Sequence, residues 1–180
     1  MRKEIAIIIG HRSKAQGAFS ETLNQTEYEF NKKVVSHLSD CADIYERKNT
    51  PFVSEAYRIR QLSKKVNAAG SYKLVISLHF NSFEDKRAHG VEALHYITNN
   101  FTKRICVKFV NKVSQRFGIK RRALIAVRSK RQNGGLLISS LNSPAILLEP
   151  FFGSNTADAE KFKGKEFEYA QLIRELIDEL

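Results

Sequence analysis

The chain has 180 residues, of which 42% are hydrophobic, and its formal net charge at pH 7 is +11. This length suits one domain with a complete sheet-and-helix core, so we expect residues 1–180 to form a single domain. No apolar run approaches the roughly 20 residues that a membrane-spanning helix requires. The two cysteines lack the spacing of a metal or redox motif, and we expect them to be reduced thiols.

The positive charge is concentrated in the middle of the chain. Residues 93–148 contain 11 basic and no acidic side chains, whereas residues 149–180 contain 4 basic and 8 acidic ones. A block of one sign attracts polyanions. Nucleic acid and an anionic envelope polymer both fit this charge, and so does a solvated face that only aids solubility.

The amino terminus contains the first predicted strand, residues 4–9, which ends in Gly10 and His11. Its charged start and apolar run resemble a signal peptide, but the apolar segment is short and no small-residue cleavage site follows. We therefore predict a strand and no signal peptide. The polar residues 12–25 are predicted to form a loop.

A helix is predicted to begin after Thr26, because Thr26 as N-cap and Glu29 three residues later form a capping box. Apolar side chains recur at helical spacing from Phe30 onwards, and we assign His37 to the packed face. Glu27 lies in the first turn, where a carboxylate complements the positive end of the helix dipole. The cap does not need Glu27.

The next elements form a predicted strand–helix–strand unit. Residues 43–46 are the strand, and the apolar residues of the following helix keep helical spacing until Gly70, a typical helix-ending residue. Residues 74–78 are an apolar run typical of a buried strand in a parallel sheet. This strand delivers His79 at its carboxyl end.

Two more strands and a long helix are predicted in the basic region. Residues 91–97 form a strand in which we interpret His95 as structural, and apolar residues at every fourth position predict a helix over residues 101–117. Residues 123–127 are a short strand, and residues 128–135 are a flexible basic loop.

The last predicted strand, residues 145–149, ends in Glu149 and is closed by Pro150, which cannot continue a central ladder. A carboxylate at the end of an apolar strand is costly unless it has a partner or a task. Residues 167–180 are predicted to form a terminal amphipathic helix. Together these elements predict an α/β fold, with a mostly parallel twisted sheet of about six strands and helices on both faces.

Four polar residues lie at element ends that a parallel sheet brings to one edge: His11, Glu27, His79 and Glu149. Two imidazoles and a carboxylate are a common ligand set for catalytic zinc. Glu149 would then be the carboxylate that accepts a proton from water. The His-Glu-x-x-His motif is absent, so hydrogen-bonded histidines near the core remain the alternative at this point.

The sequence resembles the zinc-dependent N-acetylmuramoyl-L-alanine amidases of the amidase-3 type. The resemblance rests on Gly10-His11 and on four further segments, and it covers essentially the whole chain. These segments are residues 27–31 (EYEFN), 77–81 (SLHFN), 90–92 (GVE) and 147–155 (LLEPFFGSN). It implies a fold like that of the zinc-dependent phosphorylases and hydrolases.

The same resemblance implies the roles of the four polar residues. The zinc ligands of the family fall on His11, Glu27 and His79, and its catalytic carboxylate falls on Glu149. The implied reaction is hydrolysis of the amide between the lactyl group of N-acetylmuramic acid and L-alanine in peptidoglycan. Arg12 departs from the glycine usual in relatives, and we expect it to narrow the cleft or to contact substrate. Pro150 is a second departure from glycine.

Three other functions compete with this one. A zinc peptidase acting on peptidoglycan stems or cross-links would use the same metal chemistry. A nucleic-acid-binding module would explain the basic block but not the two histidines at strand ends. A serine or cysteine hydrolase lacks its signatures, since no Gly-x-Ser-x-Gly segment is present.

The expected setting follows from the predicted lack of a signal peptide. The enzyme would stay in the cytoplasm of the producing or host cell until its release to the wall, as a phage or prophage endolysin does. A hydrolase of spore formation or germination is the alternative. We expect peptidoglycan as substrate, no nucleic-acid partner, and contact between the basic block and an anionic envelope polymer.

Overall fold

The computed structural model describes residues 3–180, in which eight strands and six helices are found. In chain order they are β1 (Ile5–Ile9), β2 (Phe19–Ser20), β3 (Gln25–Thr26), α1 (Glu27–Ser36), β4 (Asp43–Tyr45), α2 (Glu55–Ala68), β5 (Leu74–Leu78), β6 (Val91–Tyr96), α3 (Asn100–Phe117), β7 (Arg121–Val127), α4 (Gly135–Ile138), β8 (Ala145–Glu149), α5 (Thr156–Glu160) and α6 (Glu166–Asp178).

Six of the strands form one sheet in the order β4-β1-β5-β8-β6-β7. The strands β4, β1, β5 and β8 are mutually parallel, whereas β6 is antiparallel to β8 and parallel to β7. The prediction of a mostly parallel sheet of about six strands is therefore confirmed. The central strands β1, β5 and β8 are buried along their whole length.

Helices cover both faces of the sheet, as predicted. On one face, α1, α3 and α6 pack on alternate residues of the strands, including Ile7, Ile76 and Leu148. On the other face, α2 and α4 cover Ile8 and Val75. The helices leave the carboxyl ends of β1, β5 and β8 to loops, so the loops that follow these strands determine what occupies that edge.

The start of α1 is fixed by the predicted capping box. The hydroxyl oxygen of Thr26 accepts a hydrogen bond from the backbone N–H of Glu29. The Glu29 carboxylate accepts one from the backbone N–H of Thr26. A cap of this kind stabilises a helix by about 1 kcal/mol. It also sets the first helical residue, Glu27, at a defined place beside the sheet edge.

Several details differ from the sequence predictions. Residues 12–25 contain part of a small antiparallel hairpin, β2 with β3, and the short helices α4 and α5 were not predicted. His37 is exposed at the C-cap of α1 and contacts Phe167 edge-on, so its assignment to the packed face is wrong. His95 is buried, with its ring bonded to a backbone carbonyl, as a structural histidine should be. Both cysteines are free thiols, as expected.

Within the described residues, no helix combines the length and the apolar character that crossing a bilayer requires.

Candidate metal centre and active site

Two histidines emerge side by side at the carboxyl edge of the sheet. His79 directly follows β5, and His11 lies two residues beyond the end of β1. The strands β1 and β5 are adjacent and parallel, with Ile9 opposite Leu78, so the chain leaves both at the same level. The two imidazole rings are 5.4 Å apart between centroids.

Glu27 lies between the two imidazoles. Its Oε2 is 3.0 Å from Nε2 of His11, and its Oε1 is 2.7 Å from Nδ1 of His79. The backbone N–H of Phe80 also donates to Oε1, over 3.3 Å. One nitrogen or oxygen atom from each of His11, Glu27 and His79 lies within 4.8 Å of the others, an arrangement that could hold a metal ion.

The environment of Glu27 favours its ionised form. Burial alone would raise the pKa of this carboxyl, since its exposed fraction is only 3%. Hydrogen bonds with His11 and His79, together with the charges of these imidazoles, outweigh burial and lower the pKa to about 2. Glu27 is therefore a carboxylate at neutral pH.

Glycines on both sides of His11 make this close approach possible. A Cβ at Gly10 would lie 2.4 Å from the carbonyl oxygen of Leu78 and 2.8 Å from the His79 ring. A Cβ at Gly17, whose φ is +77°, would lie 2.6 Å from the Glu27 carboxylate. Any larger residue at either position would separate the three polar side chains.

Glu149 lies in the same cleft in a different environment. It ends β8, which is parallel to β5, and it lies directly opposite Glu92 of β6. Within the described part of the chain its Oε2 is buried without a hydrogen-bond partner. Burial raises the pKa of Glu149 well above the ordinary value, and the negative charges of Glu27 and Glu92 raise it further.

A single cleft of about 540 Å³ connects all four predicted residues. His11, Glu27, His79 and Glu149 all line it. Its lining also includes apolar side chains such as Ile8 and Leu147, and Arg131 of the basic loop. The structure thus brings together the four residues that the sequence singled out.

The side chain of Arg12 contacts two neighbouring polar residues. Its guanidinium donates to the Asn49 side chain over 3.1 Å and lies 3.6 Å from the Glu55 carboxylate. Arg12 does not line the cleft, so it does not narrow it, whereas contact with a substrate that extends beyond the cleft stays a prediction.

Sequence reasoning missed one residue of this site, Arg47. Its guanidinium lies at the cleft, with an exposed fraction of 9%, and donates to the backbone carbonyl of His11. Arg47 comes two residues after β4, at the same sheet edge as the histidines. This position was the available signal, because a polar residue after a strand end was the criterion that selected His11 and His79.

The basic block is divided by its contacts. Lys108, Lys112 and Arg116 of α3 form ion pairs with Glu175 and Glu179 of α6. These three cations are at least partly exposed, as residues of a solvated face are, but the acidic side chains of α6 already neutralise them. In contrast, Arg128, Lys130 and Arg131 of the following loop have no acidic partner among the described residues.

Comparisons with known proteins identify the family. The amidase-3 family model, described as N-acetylmuramoyl-L-alanine amidase, matches residues 5–179. A search of curated protein sequences finds no match. The catalytic domain of the CD27L endolysin targeting Clostridia Difficile is 25% identical, with a TM-score of 0.79 over 96% of this chain and 95% of that chain.

Two further solved structures share the fold. CwlV, an N-acetylmuramoyl-L-alanine amidase from Bacillus (Paenibacillus) polymyxa var. colistinus, has a TM-score of 0.71 and 21% identity over 99% of this chain and 97% of that one. An N-acetylmuramoyl-L-alanine amidase from Clostridium difficile 630 has a TM-score of 0.69 and 17% identity over 99% of this chain and 98% of that chain. Since the family match spans nearly the whole chain, this protein belongs to the N-acetylmuramoyl-L-alanine amidases.

Proposed function

We propose that the protein is a zinc-dependent peptidoglycan amidase. Its metal ligands are His11, Glu27 and His79, its proton-transferring carboxylate is Glu149, and its substrate bond joins the lactyl group of N-acetylmuramic acid to L-alanine. The observation that carries this proposal is the meeting of the three ligand atoms within 4.8 Å, beside the Glu149 carboxyl, whose Oε2 has no hydrogen-bond partner among residues 3–180.

The donor set fits zinc. Two imidazole nitrogens and one carboxylate are a common protein ligand set for catalytic zinc, which leaves a position for water or substrate. The atoms that would bind the ion, Nε2 of His11, Nδ1 of His79 and the oxygens of Glu27, already point at one another. When bound, zinc polarises a carbonyl and lowers the pKa of water from about 15.7 toward 7.

Glu149 is suited to moving the proton. Its buried carboxyl has an oxygen at the cleft without a hydrogen-bond partner among the described residues, and its pKa is raised, so its ionised form is a stronger base than an ordinary carboxylate. In the proposed reaction Glu149 accepts a proton from the attacking water and donates it to the amine of L-alanine as the amide C–N bond breaks. The products are a lactyl carboxylate and a free peptide amino terminus.

Product analysis tests the reaction. Purified peptidoglycan digested with the enzyme should yield new L-alanine amino termini and glycan strands without peptides, identified by mass spectrometry. Glycans that retain L-alanine, with cleavage only inside the peptides, would instead support the zinc peptidase.

Metal analysis tests the ligand set. The purified protein should contain about one zinc per chain, and His79→Ala should lose it because a three-ligand site is left with two ligands. His37→Ala is the matched control, since His37 is exposed at the C-cap of α1 and lies outside the cleft lining. Active wild-type enzyme without zinc would refute the metal proposal.

We further propose that residues 1–180 act as a single catalytic domain with a bacteriolytic, endolysin-type role. The support is the 25% identity to an endolysin catalytic domain. Expression in a bacterial host should leave cells intact until the inner membrane is perforated, and then lyse them. The Glu149→Gln variant should not lyse them, and lysis without perforation would contradict release from the cytoplasm.

The basic loop is the proposed contact for an anionic envelope polymer. Arg128 and Lys130 have no acidic partner among residues 3–180, whereas Lys108, Lys112 and Arg116 of α3 are neutralised by α6. Exposed charges act over about 8 Å at physiological salt and about 3 Å at 1 M. The double variant Arg128→Gln, Lys130→Gln should slow lysis of outer-membrane-permeabilised cells at low salt only.

The control for this test is Lys108→Gln, which removes a cation that already has an acidic partner. Neither change should affect hydrolysis of a small neutral muropeptide. Equal losses on cells and on the muropeptide at every salt concentration would assign the loop to folding or to the active site.

A further inference from the structure

His11 has an uncommon backbone conformation. Its φ is +64°, in the left-handed region that only a few per cent of non-glycine residues adopt. This conformation turns the chain sharply after Gly10. In the folded protein Nε2 of the His11 ring is 3.0 Å from Oε2 of Glu27. A strained residue persists only where its surroundings hold it.

Arg47 supplies such a contact. Its Nε–H donates to the carbonyl oxygen of His11 over 3.2 Å, across 36 residues of sequence. Arg47 can reach this carbonyl because β4 is the neighbour of β1, with Tyr45 opposite Ile8. The contact is partly buried, and the exposed fraction of Arg47 is 9%.

Glu55 fixes the other side of the Arg47 guanidinium. Its Oε1 accepts a hydrogen bond from Nη1 of Arg47, and its Oε2 lies near Arg12 and Arg58. Glu55 is the first residue of α2, which Ser54 caps. The guanidinium therefore joins the carbonyl of His11 to a helix end that is itself fixed.

We propose that Arg47 is a positioning residue for the metal site. By bonding the carbonyl of His11, with its own guanidinium held by Glu55, Arg47 keeps His11 in the left-handed conformation that aims Nε2 at the site. An arginine suits this task because its planar fork donates in two fixed directions at once, which a lysine cannot do. The inference rests on the proposed metal site.

The test is the zinc affinity of the metal-free protein, measured by competition with a chromophoric chelator. Arg47→Ala should weaken zinc binding by about 10–100-fold, the range for loss of a group that orients a ligand. Arg47→Lys should recover part of the affinity. Glu55→Gln should give an intermediate loss, since it leaves the arginine in place but releases its anchor.

Arg58→Ala is the matched control. Arg58 also pairs with Glu55 and bonds the Thr50 carbonyl, but no contact joins it to His11 among the described residues. Its zinc affinity should stay within about 3-fold of wild type, well below the range for an orienting group. The melting temperatures of the metal-free variants show whether a substitution also lowers the stability of the fold.

Each outcome decides between specific alternatives. Wild-type protein without zinc would refute the proposed function itself. Wild-type zinc affinity in Arg47→Ala, or an equal loss in Arg58→Ala, would overturn the positioning role. Arg47 lines the cleft, so a raised KM with unchanged zinc affinity would identify it as a substrate contact instead. If Arg47→Ala fails to fold, Arg47→Lys and Glu55→Gln decide by the same affinity measurement.

Discussion

Two buried carboxylates face the same cleft in opposite environments. Glu27 lies between His11 and His79, and its hydrogen bonds with these imidazoles, together with their charges, outweigh burial and lower its pKa to about 2. Glu149 has an oxygen without a partner in the described residues, and burial raises its pKa. Both groups are less than a tenth exposed, so burial alone does not decide their protonation. The hydrogen-bond partners decide it.

This contrast indicates a division of labour. A pair of titratable groups whose surroundings drive their pKa values apart identifies the acid and base roles in a site. Glu27, which is ionised at neutral pH, is suited to holding a cation between two imidazoles. Glu149, which binds a proton more readily, is suited to accepting and releasing one.

The strongest way to break this comparison is to make the same substitution at both positions. Glu149→Gln should retain zinc and lower the hydrolysis rate by about 10²–10⁴-fold, the usual range for general acid–base catalysis. Glu27→Gln should lose zinc, because a neutral amide replaces the anionic ligand. Metal analysis and initial rates on peptidoglycan measure both effects. Near-normal turnover by Glu149→Gln, or loss of its zinc, would contradict the assignment of proton transfer to Glu149 and of metal binding to Glu27.

The second prediction concerns the stability of the metal-free protein. The two substitutions should change the free energy of unfolding in opposite directions. At pH 7, Glu149→Gln should stabilise the fold by about 1–3 kcal/mol, since it removes a buried group that is costly to ionise. Glu27→Gln should destabilise it by about 1.5–3 kcal/mol, since it weakens hydrogen bonds to a charged group. Urea unfolding curves measure both.

The pH dependence of these differences follows from the pKa shifts. The raised pKa of Glu149 stabilises the wild type fully below the ordinary value of 4.5, and this stabilisation is lost as the pH rises through the folded-state pKa. The lowered pKa of Glu27 stabilises the wild type above 4.5, and this is lost as the pH falls toward 2. Both differences should therefore shrink in acid. A pH-independent gain in Glu149→Gln would contradict this account.

The sequence was sufficient to predict the convergence of His11, His79 and Glu149. Each follows a continuous apolar run, and buried parallel strands bring their carboxyl ends to one edge whatever the order of the strands. The capping box likewise fixed the helical turn that carries Glu27. These inferences depend on local patterns of a few residues, which the fold preserves.

Other features depend on contacts that no local pattern contains. The direction of β6 was not predictable, because an apolar run reads the same in both directions. His37 continues the spacing of the α1 apolar residues, but the helix ends at Ser36 and leaves it outside the packed face. The bond from Arg47 to His11 depends on the neighbouring positions of β4 and β1.

The pairing of α3 with α6 had a signal that went unused. The basic block of residues 93–148 is followed by a segment with an excess of acidic residues. Opposite charges on two helices of one domain indicate mutual neutralisation as readily as an external polyanion. In the structure the two helices neutralise each other through ion pairs such as those of Lys112 with Glu175 and Glu179.

The smallest expected effect is that of Glu92 on the pKa of Glu149. Glu92 lies opposite Glu149 across β6 and β8, and its charge adds to the rise in the pKa of Glu149 after burial. Its own carboxylate accepts hydrogen bonds from the Asn81 amide and from Nε of Arg122, each over 2.7 Å. These partners reduce its field at Glu149 without removing it.

Glu92→Gln should therefore lower the pKa of Glu149 and move the acidic limb of the pH profile of kcat/KM to lower pH. The shift should be less than about one pH unit, since one unit corresponds to 1.36 kcal/mol and Arg122 already neutralises much of the charge. Arg122→Gln is the opposing control, because it leaves the Glu92 charge unneutralised and should move the same limb to higher pH. Both variants should keep zinc and turn over near the wild-type rate at the plateau. Shifts in the same direction, or a plateau loss as large as that of Glu149→Gln, would show that Glu92 acts on the reaction by another route than the charge it presents to Glu149.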